Sequence, residues 1–275
     1  MAVNYAEKYS AAVDERFKLA AQTAGAVDNA GIDWTGVQTV NVYSIPTAAM
    51  HNYVRSGNGR YGTPAELDNN VQAMTISQDR SFTFTIDRMN KEETMMVMDA
   101  GAALRRQIDE VVIPEVDKYR LAALEAGAGN TNPTPAAITA ANAYTAFLDG
   151  DVALTDEKAP QSGRVAFVSP TFYKFIKLDN AFVKQGDLSQ QMMINGAIGM
   201  VDNTAIIRVP QAYLPADTEF IITHAIAMAS PVKLADYKIH DNPPGINGWL
   251  VEGRIVYDAF IRDMKKGAIY VYKSA

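Results

Sequence analysis

The feature that most constrains the fold is an amphipathic stretch of forty residues that begins at Asn90, NKEETMMVMDAGAALRRQIDEVVIPEVDKYRLAALEAGAG. Asn90 followed three residues later by Glu93 is typical of a capping box, in which each side chain accepts a hydrogen bond from the backbone N–H of the other residue. Side chains that suit one buried helical face then recur at three- and four-residue steps: Val97, Gly101, Leu104, Ile108, Val112, Val116 and Tyr119. A helix that reached Gly127 would be on the order of 50 Å long, about the width of a compact chain of this size. The sequence therefore predicts one long helix, a spine around which the remaining elements are arranged.

Pro114 interrupts this pattern. Proline has no backbone N–H, and its ring clashes with the preceding turn, at a cost of about 3 kcal/mol where nothing compensates. We expect the spine helix to bend or divide there.

Two segments before the spine alternate polar and apolar residues, as β-strands do. The first is QTVNVYSI, in which Val40 and Val42 share one face. The second is QAMTISQDRSFTFTID, in which Met74, Ile76, Phe82, Phe84 and Ile86 share one face. We interpret them as the two legs of a long hairpin. Residues 46–70 between them contain Gly57, Gly59 and Gly62 and few large apolar groups, which indicates an exposed tip. Ahead of the hairpin, residues 3–24 have the spacing of an amphipathic helical arm.

The chain beyond the spine changes character twice. Residues 131–225 mix helix and strand signals: a short helix led by Pro135, a strand followed by a helix that Ser169 opens, and short strands around Asp202-Asn203. From residue 226 the runs VKLADYKIH, GWLVEGRIVYDAFIRD and GAIYVYK predict an antiparallel sheet that packs on the spine. The predicted fold class is α+β.

Composition excludes several classes of function. The formal net charge is −6 and no basic run occurs. Both observations argue against a protein that binds nucleic acid tightly through Lys and Arg contacts to its phosphates. The chain has no cysteine, so disulfides, zinc–thiolate sites and thiol nucleophiles are impossible. Neither an apolar run long enough to cross a membrane nor the apolar core of a signal peptide is found.

The segment GNGRYG, residues 57–62, matches the G-x-G-x-x-G fingerprint of dinucleotide-binding proteins. A dinucleotide site requires a buried strand before the first glycine and a full-length helix after the last. Here Asn52, Arg55 and Ser56 precede it, and the helix that Pro64 opens has only Leu67 as an apolar anchor. We interpret the glycines as turn residues of the loop tip, which leaves a nucleotide-dependent oxidoreductase as a remote alternative.

No other pattern predicts catalysis. The three histidines, His51, His224 and His240, lie far apart and form no metal-binding motif. The acidic pairs Glu92-Glu93 and Asp109-Glu110 suit a helix start and ion pairs on a solvated helix face. We therefore predict no catalytic residue, no cofactor and no metal site, and we do not expect an enzyme.

In the order of its elements and in the amino-acid sequence of four segments, the chain resembles the major capsid proteins of tailed bacteriophages, which have the Hong Kong 97-type fold. The segments are TVNVYSIPTAAMHNYVRSGNGRYGTPAEL, SFTFTID, MMVMDAGAALRRQIDEVVIPEVDKYRLAAL and VYDAFI, and they are similar to capsid proteins of phages of Gram-positive hosts. The resemblance implies a coat protein that assembles as pentamers and hexamers into an icosahedral-type shell around double-stranded DNA. It implies assembly in the bacterial cytoplasm and residence in the virion. An encapsulin, a cellular compartment shell of the same fold, is the alternative.

The resemblance also implies a domain organisation. Residues 1–35 would be the N-terminal arm, and residues 36–90 the extended loop that reaches over a neighbouring subunit. The spine in residues 91–130 and the sheet in residues 226–275 would form the peripheral domain. Residues 131–225 would be the axial domain, which clusters at five- and six-fold axes.

Contacts between subunits would then involve the loop. The residues that we expect at its tip are Tyr53, Arg55, Arg60 and Tyr61, and the candidates for charge pairing between subunits are Arg80 and Arg88. Some members of the family join subunits through an isopeptide bond from a loop lysine, but no lysine occurs here between Lys18 and Lys91. We therefore expect a non-covalent shell.

The remaining partners follow from the same resemblance. The arm is too short for the scaffolding domain that is fused to some relatives, so we expect a separate scaffolding protein and a portal. The shell would enclose DNA without sequence-specific binding and would not involve a membrane.

Overall fold

The computed structural model describes residues 21–29, 32, 34, 38–45, 47–64, 66, 69–93, 99–179 and 200–274. The helical arm predicted for residues 3–24 lies almost wholly outside these ranges. The chain divides into two compact units, Gly31–Ile76 on one hand and Met1–Ala30 with Ser77–Ala275 on the other. Of the described helices, none is long and apolar enough to cross a membrane.

The elements are numbered in chain order. The strands are β1 Thr39–Ser44, β2 Asn70–Thr75, β3 Gln78–Asp87, β4 Asn130–Thr131, β5 Arg164–Val168, β6 Met200–Val201, β7 Thr204–Arg208, β8 Thr218–His224, β9 Met228–Ala229, β10 Val232–Asp241, β11 Gly248–Tyr257, β12 Phe260–Ile261 and β13 Ile269–Lys273. The α-helices are α1 Arg88–Glu93, α2 Ala100–Gln107, α3 Ile113–Ala126, α4 Ala143–Asp156 and α5 Pro170–Leu178. A π-helical turn spans Ile108–Val112, and 3-10 turns span Ala24–Ala26, Gln211–Tyr213, Ala225–Ala227 and Asp263–Ala268.

The smaller unit, Gly31–Ile76, contains a two-stranded antiparallel hairpin. β1 and β2 pair from Thr39 opposite Thr75 to Ser44 opposite Asn70. The hydroxyls of Thr39 and Thr75 lie 2.8 Å apart across the pair. Val40 and Val42 lie on the less exposed face of β1, as the alternation predicted.

The predicted second leg of the hairpin is corrected by the structure. Only residues 70–75 pair with β1, whereas β3 pairs along its whole length with β11 in a three-stranded sheet of order β10-β11-β3. The division falls at Ser77, whose backbone N–H and hydroxyl both donate to Asp258 Oδ2, at 2.7 and 2.9 Å. Alternation shows which residues share a face, but it carries no information about the partner strand. The alternation continues across Ser77 although β2 and β3 pair with different strands, so the sequence did not reveal the division.

The spine helix starts later than the sequence predicted. Asn90 lies inside the separate helix α1, and the spine begins after Asp99, which has extended backbone angles of φ −83° and ψ 131°. The Asp99 carboxylate accepts hydrogen bonds from the N–H groups of Gly101 and Ala102, each at 3.1 Å. A carboxylate that satisfies two unpaired N–H groups is a strong helix cap, which explains the choice of start.

Pro114 is accommodated by a change of hydrogen bonding. The π-helical turn lies directly before α3, and the N–H of Ile113 donates to the carbonyl of Ile108, five residues back. Pro114 then falls in the first turn of α3, where a missing N–H costs little. The spine thus runs from Ala100 to Ala126, about 40 Å at 1.5 Å per residue.

A six-stranded mixed sheet of order β4-β13-β8-β5-β7-β6 forms the centre of the larger unit. The spine covers one face, where Leu121 and Leu124 pack with Phe167, Ile221 and Val271. On the other face, α4 and α5 enclose an aromatic core whose main members are Phe147, Phe172, Phe220, Tyr270 and Tyr272.

The C-terminal strand belongs to this six-stranded sheet, which corrects the prediction that it joins the terminal antiparallel sheet. β13 pairs antiparallel with β8 and parallel with β4, and its residues Ile269 to Tyr272 are buried. A strand covered by helices on both faces is apolar throughout, and IYVY fits that description better than alternation.

Helix starts in the mixed region are partly as predicted. The helix expected after Pro135 begins instead at Ala143, because the N–H of Tyr144 donates to the buried Asp179 carboxylate at 3.1 Å, a partner remote in sequence. Ser169 caps α5 as predicted, since its Oγ accepts from the N–H of Phe172 at 2.9 Å. The turn between β6 and β7 is confirmed at Asp202-Asn203.

The three-stranded sheet packs on the first half of the spine, as predicted. Ile86 of β3, Ala100 of α2 and Val251 of β11 are buried together. Gly248 permits the close pairing at the end of β11, because a Cβ atom there would lie 2.1 Å from the carbonyl oxygen of Ile86.

Candidate assembly surfaces

The loop tip is a glycine-dependent turn. Gly57, Gly59 and Gly62 have φ values of +86°, +79° and +90°, a region that side chains rarely adopt. The N–H of Gly62 donates to Gly59 O at 2.9 Å, and the N–H of Val54 donates to Arg60 O at 3.1 Å. The chain is thereby folded back on itself, which brings residues 53–54 next to residues 60–61.

Four predicted contact residues meet at this tip. The rings of Tyr53 and Tyr61 are 5.0 Å apart, edge to face, and are 51% and 86% exposed. Arg60 Nε donates to Gly57 O at 3.1 Å, which holds the guanidinium beside the turn. Arg55 is exposed and forms no ion pair with another described residue. The tip therefore presents two aromatic rings and two cations to its surroundings.

Further exposed apolar residues extend this surface, and the sequence reasoning missed them. Each is more than half exposed: Tyr43, Ile45, Met50, Val54 and Val71. Met50 is 97% exposed. The alternation of β1 contained the signal for Tyr43, which lies on the face opposite to Val40 and Val42. Large apolar side chains left exposed in one unit, with Tyr43 directly opposite Val71 across the strand pair, favour a site of interaction with another molecule.

The local backbone does not provide a dinucleotide site. Residues 62–64 and 66 are not helical, so the short helix predicted after Pro64 is wrong at these positions. Among the described residues that follow Gly62, therefore, there is no helix N-terminus that could bind a pyrophosphate.

The two arginines predicted to pair between subunits have partners in their own chain. Arg80 Nε donates to Glu115 Oε1 at 2.7 Å. Arg88 Nη2 donates to Asn242 Oδ1 at 3.0 Å and lies 3.6 Å from Asp241. A role for either arginine between subunits stays a prediction.

The residue that follows the smaller unit is anchored by a buried carboxylate that the sequence reasoning also missed. Asp258 is 3% exposed, and besides its bonds to Ser77 it accepts from Tyr119 Oη at 2.8 Å and from Ala259 N–H at 2.7 Å. Burial and the nearby Asp258 raise the pKa of Tyr119, so its hydroxyl remains a donor. Two hydrogen bonds to Asp258 thus fix Ser77, where the chain leaves the larger unit, and two more hold the Asp258 carboxylate in place.

A second buried carboxylate fixes the chain at residues 22–23, within the predicted N-terminal arm of residues 1–35. Asp117 of the spine is 1% exposed and accepts from Gln22 N–H at 2.8 Å and from Thr23 Oγ1 at 2.5 Å. Arg120, three residues after Asp117 on the spine, donates to Ser230 Oγ at 2.8 Å and to Thr23 Oγ1 at 3.2 Å. Residues 22–23 are therefore held on the spine.

The described side chains do not assemble a metal centre. Within the described ranges, no three His, Asp or Glu residues lie close enough together to hold a metal ion. His224 Nε2 lies 3.0 Å from Ser162 O, and His240 Nε2 lies 3.2 Å from Glu252 Oε2.

The sequence model of a family described as phage capsid protein matches residues 71–271. No protein of curated function matches the chain in sequence.

Three solved structures share the fold at low sequence identity. A chain of Mycobacterium phage Che8 has a TM-score of 0.79 and 17% identity over 97% of this chain and 96% of that one. A chain in the capsid of cyanophage P-SCSP1u has a TM-score of 0.74 and 12% identity, with 98% and 93% covered. A chain in the mature capsid of bacteriophage PhiM1 has a TM-score of 0.73 and 12% identity, with 99% and 92% covered.

Proposed function

The chain belongs to the phage capsid protein family, and from that premise we propose that its copies assemble as pentamers and hexamers into an icosahedral-type shell around double-stranded DNA. It is a major capsid protein with the Hong Kong 97-type fold, it self-assembles, and it resides in the virion. Its role is structural.

The observation that carries the proposed mode of assembly is the exposed apolar surface of the smaller unit. Among the described residues from Tyr43 to Val71, seven large apolar or aromatic side chains are more than half exposed. Leaving such groups in water forgoes about 25 cal/mol for each Å² of apolar surface. Other copies of the chain supply the missing cover, in interfaces of the size found in obligate assemblies, roughly 2,000 to 5,000 Å².

We assign the extended loop that reaches over a neighbouring subunit to this unit and its tip. The contact residues at the tip are Tyr53, Arg55, Arg60 and Tyr61. The rings fill an apolar site on the neighbour, and the two arginines pair with carboxylates around it, since aromatic residues and arginine dominate interface energetics.

The domain assignment supports the same arrangement. The peripheral domain consists of the spine and the three-stranded sheet, and the axial domain contains α4, α5 and most of the six-stranded sheet. The pairing of β3 with β11 supports a peripheral sheet that includes β3, and with it an extended loop that ends near residue 76, ahead of the bound at residue 90 that the sequence suggested.

The shell is held together without covalent cross-links of the lysine type, because residues 19–90 contain no lysine. A separate scaffolding protein guides assembly, and a portal occupies one vertex. The enclosed DNA is not read by sequence, since the chain is acidic overall and has a net charge of −6.

Replacement of the loop tip tests this proposal. We expect a chain in which a short Gly-Ser link replaces residues 54–67 to fold, because its cores lie elsewhere, and to yield few or no shells by sedimentation and negative-stain microscopy. Tyr61→Ala should also reduce the yield, whereas Tyr61→Phe, which keeps the ring against Tyr53, should retain it. Shells of normal yield and appearance from the tip-replaced chain would show that the tip has no role in assembly.

The encapsulin and oxidoreductase alternatives are not favoured by the family match or by the loop geometry. The gene neighbourhood separates the two shells. A phage capsid gene lies beside portal, scaffold and terminase genes, and an encapsulin gene lies beside a cargo enzyme with a docking tail.

A further inference from the structure

Two neighbouring helices on the same face of the six-stranded sheet carry opposite charge. Helix α4, AYTAFLDGDVALTD, contains Asp149, Asp151 and Asp156 and no Lys or Arg. Helix α5, PTFYKFIKL, contains Lys174 and Lys177 and no Asp or Glu. Both helices pack on the aromatic core with their apolar sides.

The solvent side of α4 is an acidic stripe with an apolar centre. Asp149, Val152 and Asp156 follow one another at three- and four-residue steps, so they share a helix face, and all three are exposed. Val152 is 57% exposed. Asp151 points elsewhere and pairs with the buried Arg164. We call Asp149, Val152 and Asp156 the acidic surface.

The solvent side of α5 is the counterpart of this stripe. Lys174 is exposed, and Leu178, one turn further, is 56% exposed. Lys177 Nζ lies 4.8 Å from the centre of the Tyr173 ring, and the guanidinium of Arg208 in β7 lies 4.6 Å from it. We call Lys174, Lys177, Leu178 and Arg208 the basic surface.

These charges have no ion-pair partner in the described part of their own chain. Asp149 and Asp156 form no ion pair there, and the same is true of Lys174, Lys177 and Arg208. A similar arrangement elsewhere in the chain is fully paired. Lys91 and Arg88 also flank an aromatic ring, that of Trp249, but each has a carboxylate neighbour, Asp99 for Lys91 and Asp241 for Arg88.

The two helices that carry these surfaces both contact β8 and extend from it toward opposite edges of the sheet. Helix α4 lies on β13, since a Cβ atom at Gly150 would be 2.8 Å from the Tyr270 ring. Helix α5 lies over β8, through the Phe172–Phe220 contact at 4.5 Å, and reaches Arg208 of β7. β13 and β7 are each the second strand from opposite edges of the sheet.

We propose that the acidic surface of one copy docks against the basic surface of the next copy, so that axial domains join head to tail around a closed ring. The partner is a second copy because one chain carries both complementary surfaces, each with one exposed aliphatic side chain among its charges. A contact between two different patches of identical subunits closes into a ring when the rotation permits. Opposite charges fix the partner and the register, and like charges exclude wrong pairings. This inference rests on the proposed assembly into pentamers and hexamers.

Charge reversal tests the proposal. Asp149→Lys with Asp156→Lys gives a chain whose two surfaces are both basic, and Lys174→Glu with Lys177→Glu leaves Arg208 as the one cation of a surface that is then acidic on balance. Each should reduce the yield of sedimenting shells by about tenfold or more, because every ring contact then opposes like charges. The chain with all four reversals keeps the net charge of −6 and restores complementary contacts, so it should assemble to within about twofold of the unmodified chain.

Several outcomes would overturn the proposal. If either two-residue reversal assembles as well as the unmodified chain, the surfaces do not meet. If the four-residue reversal melts at the unmodified temperature but does not regain assembly, the charges serve a partner other than a second copy. Misfolding of a reversal variant is separated from lost docking by its circular dichroism and melting temperature, and single Asp156→Asn and Lys174→Gln variants then repeat the test with smaller changes. Failure of the unmodified chain to form pentamers, hexamers or shells would instead contradict the proposed function.

Discussion

At the scale of single residues, Arg164 shows how the axial domain tolerates a buried charge. Its side chain is 1% exposed, yet all three nitrogens have acceptors: Pro160 O for Nε, Asp151 for Nη1, and Thr155 Oγ1 and Ala159 O for Nη2. The guanidinium thereby ties the end of α4 and the turn after it to β5. The sequence offered no sign of this role, because an arginine at the start of an apolar strand is equally compatible with exposure at a strand end.

The guanidinium geometry makes Arg164→Lys an informative substitution. Lysine keeps the charge but has three donors on one nitrogen, so several carbonyls would lose their partner. We expect the free energy of unfolding to fall by about 3 kcal/mol. Denaturant unfolding under conditions that keep the chain unassembled measures this loss, and exposed Arg208→Lys serves as the control, with a change below about 0.5 kcal/mol. Equal stability of the two variants would show that Arg164 is not a structural tie.

At the scale of elements, the sequence predicted most helices and strands but not their partners. The faces of β1 and β3, the Ser169 cap and the turn at Asp202-Asn203 depend on neighbours in sequence, and all were predicted. The pairing of β3 with β11, the place of β13 beside β8 and the capping of α4 by Asp179 depend on residues 35 to 179 positions away, for which one sequence carries no local signal. For the candidate assembly site, the aromatic and cationic tip was predicted, but the exposed apolar side chains around it were not.

The start of the spine gives a test at this scale. Asp99→Ala should lower the free energy of unfolding by about 1 kcal/mol, because two N–H groups lose their acceptor, while Asp99→Asn should retain most of the cap. The hydrogen bond from Ala102 lowers the pKa of Asp99. Its stabilisation is therefore fully present above the ordinary carboxyl pKa and is lost as the pH falls through the lower folded value. Thermal unfolding at pH 7 and pH 3 measures both effects, and a cap that contributes equally at every pH would contradict this role.

At the scale of the whole molecule, apolar burial is concentrated where the three-stranded and six-stranded sheets pack on the spine. The exposed apolar residues of the loop have no such packing within the described part of the chain. The larger unit has two extensive cores, and buried carboxylates anchor the chain at Ser77 and at Thr23. The smaller unit buries Met74 and Ile76 but leaves the large apolar side chains from Tyr43 to Val71 named above in solvent. Such a division suits a subunit whose remaining stability comes from other copies of itself.

Sedimentation velocity and negative-stain microscopy of the purified chain, with and without a scaffolding protein, test the central claim of assembly most directly. We expect pentamers and hexamers or closed shells, with loss of the monomer as concentration rises. A folded chain that remains strictly monomeric under every assembly condition, including with scaffold, would contradict it.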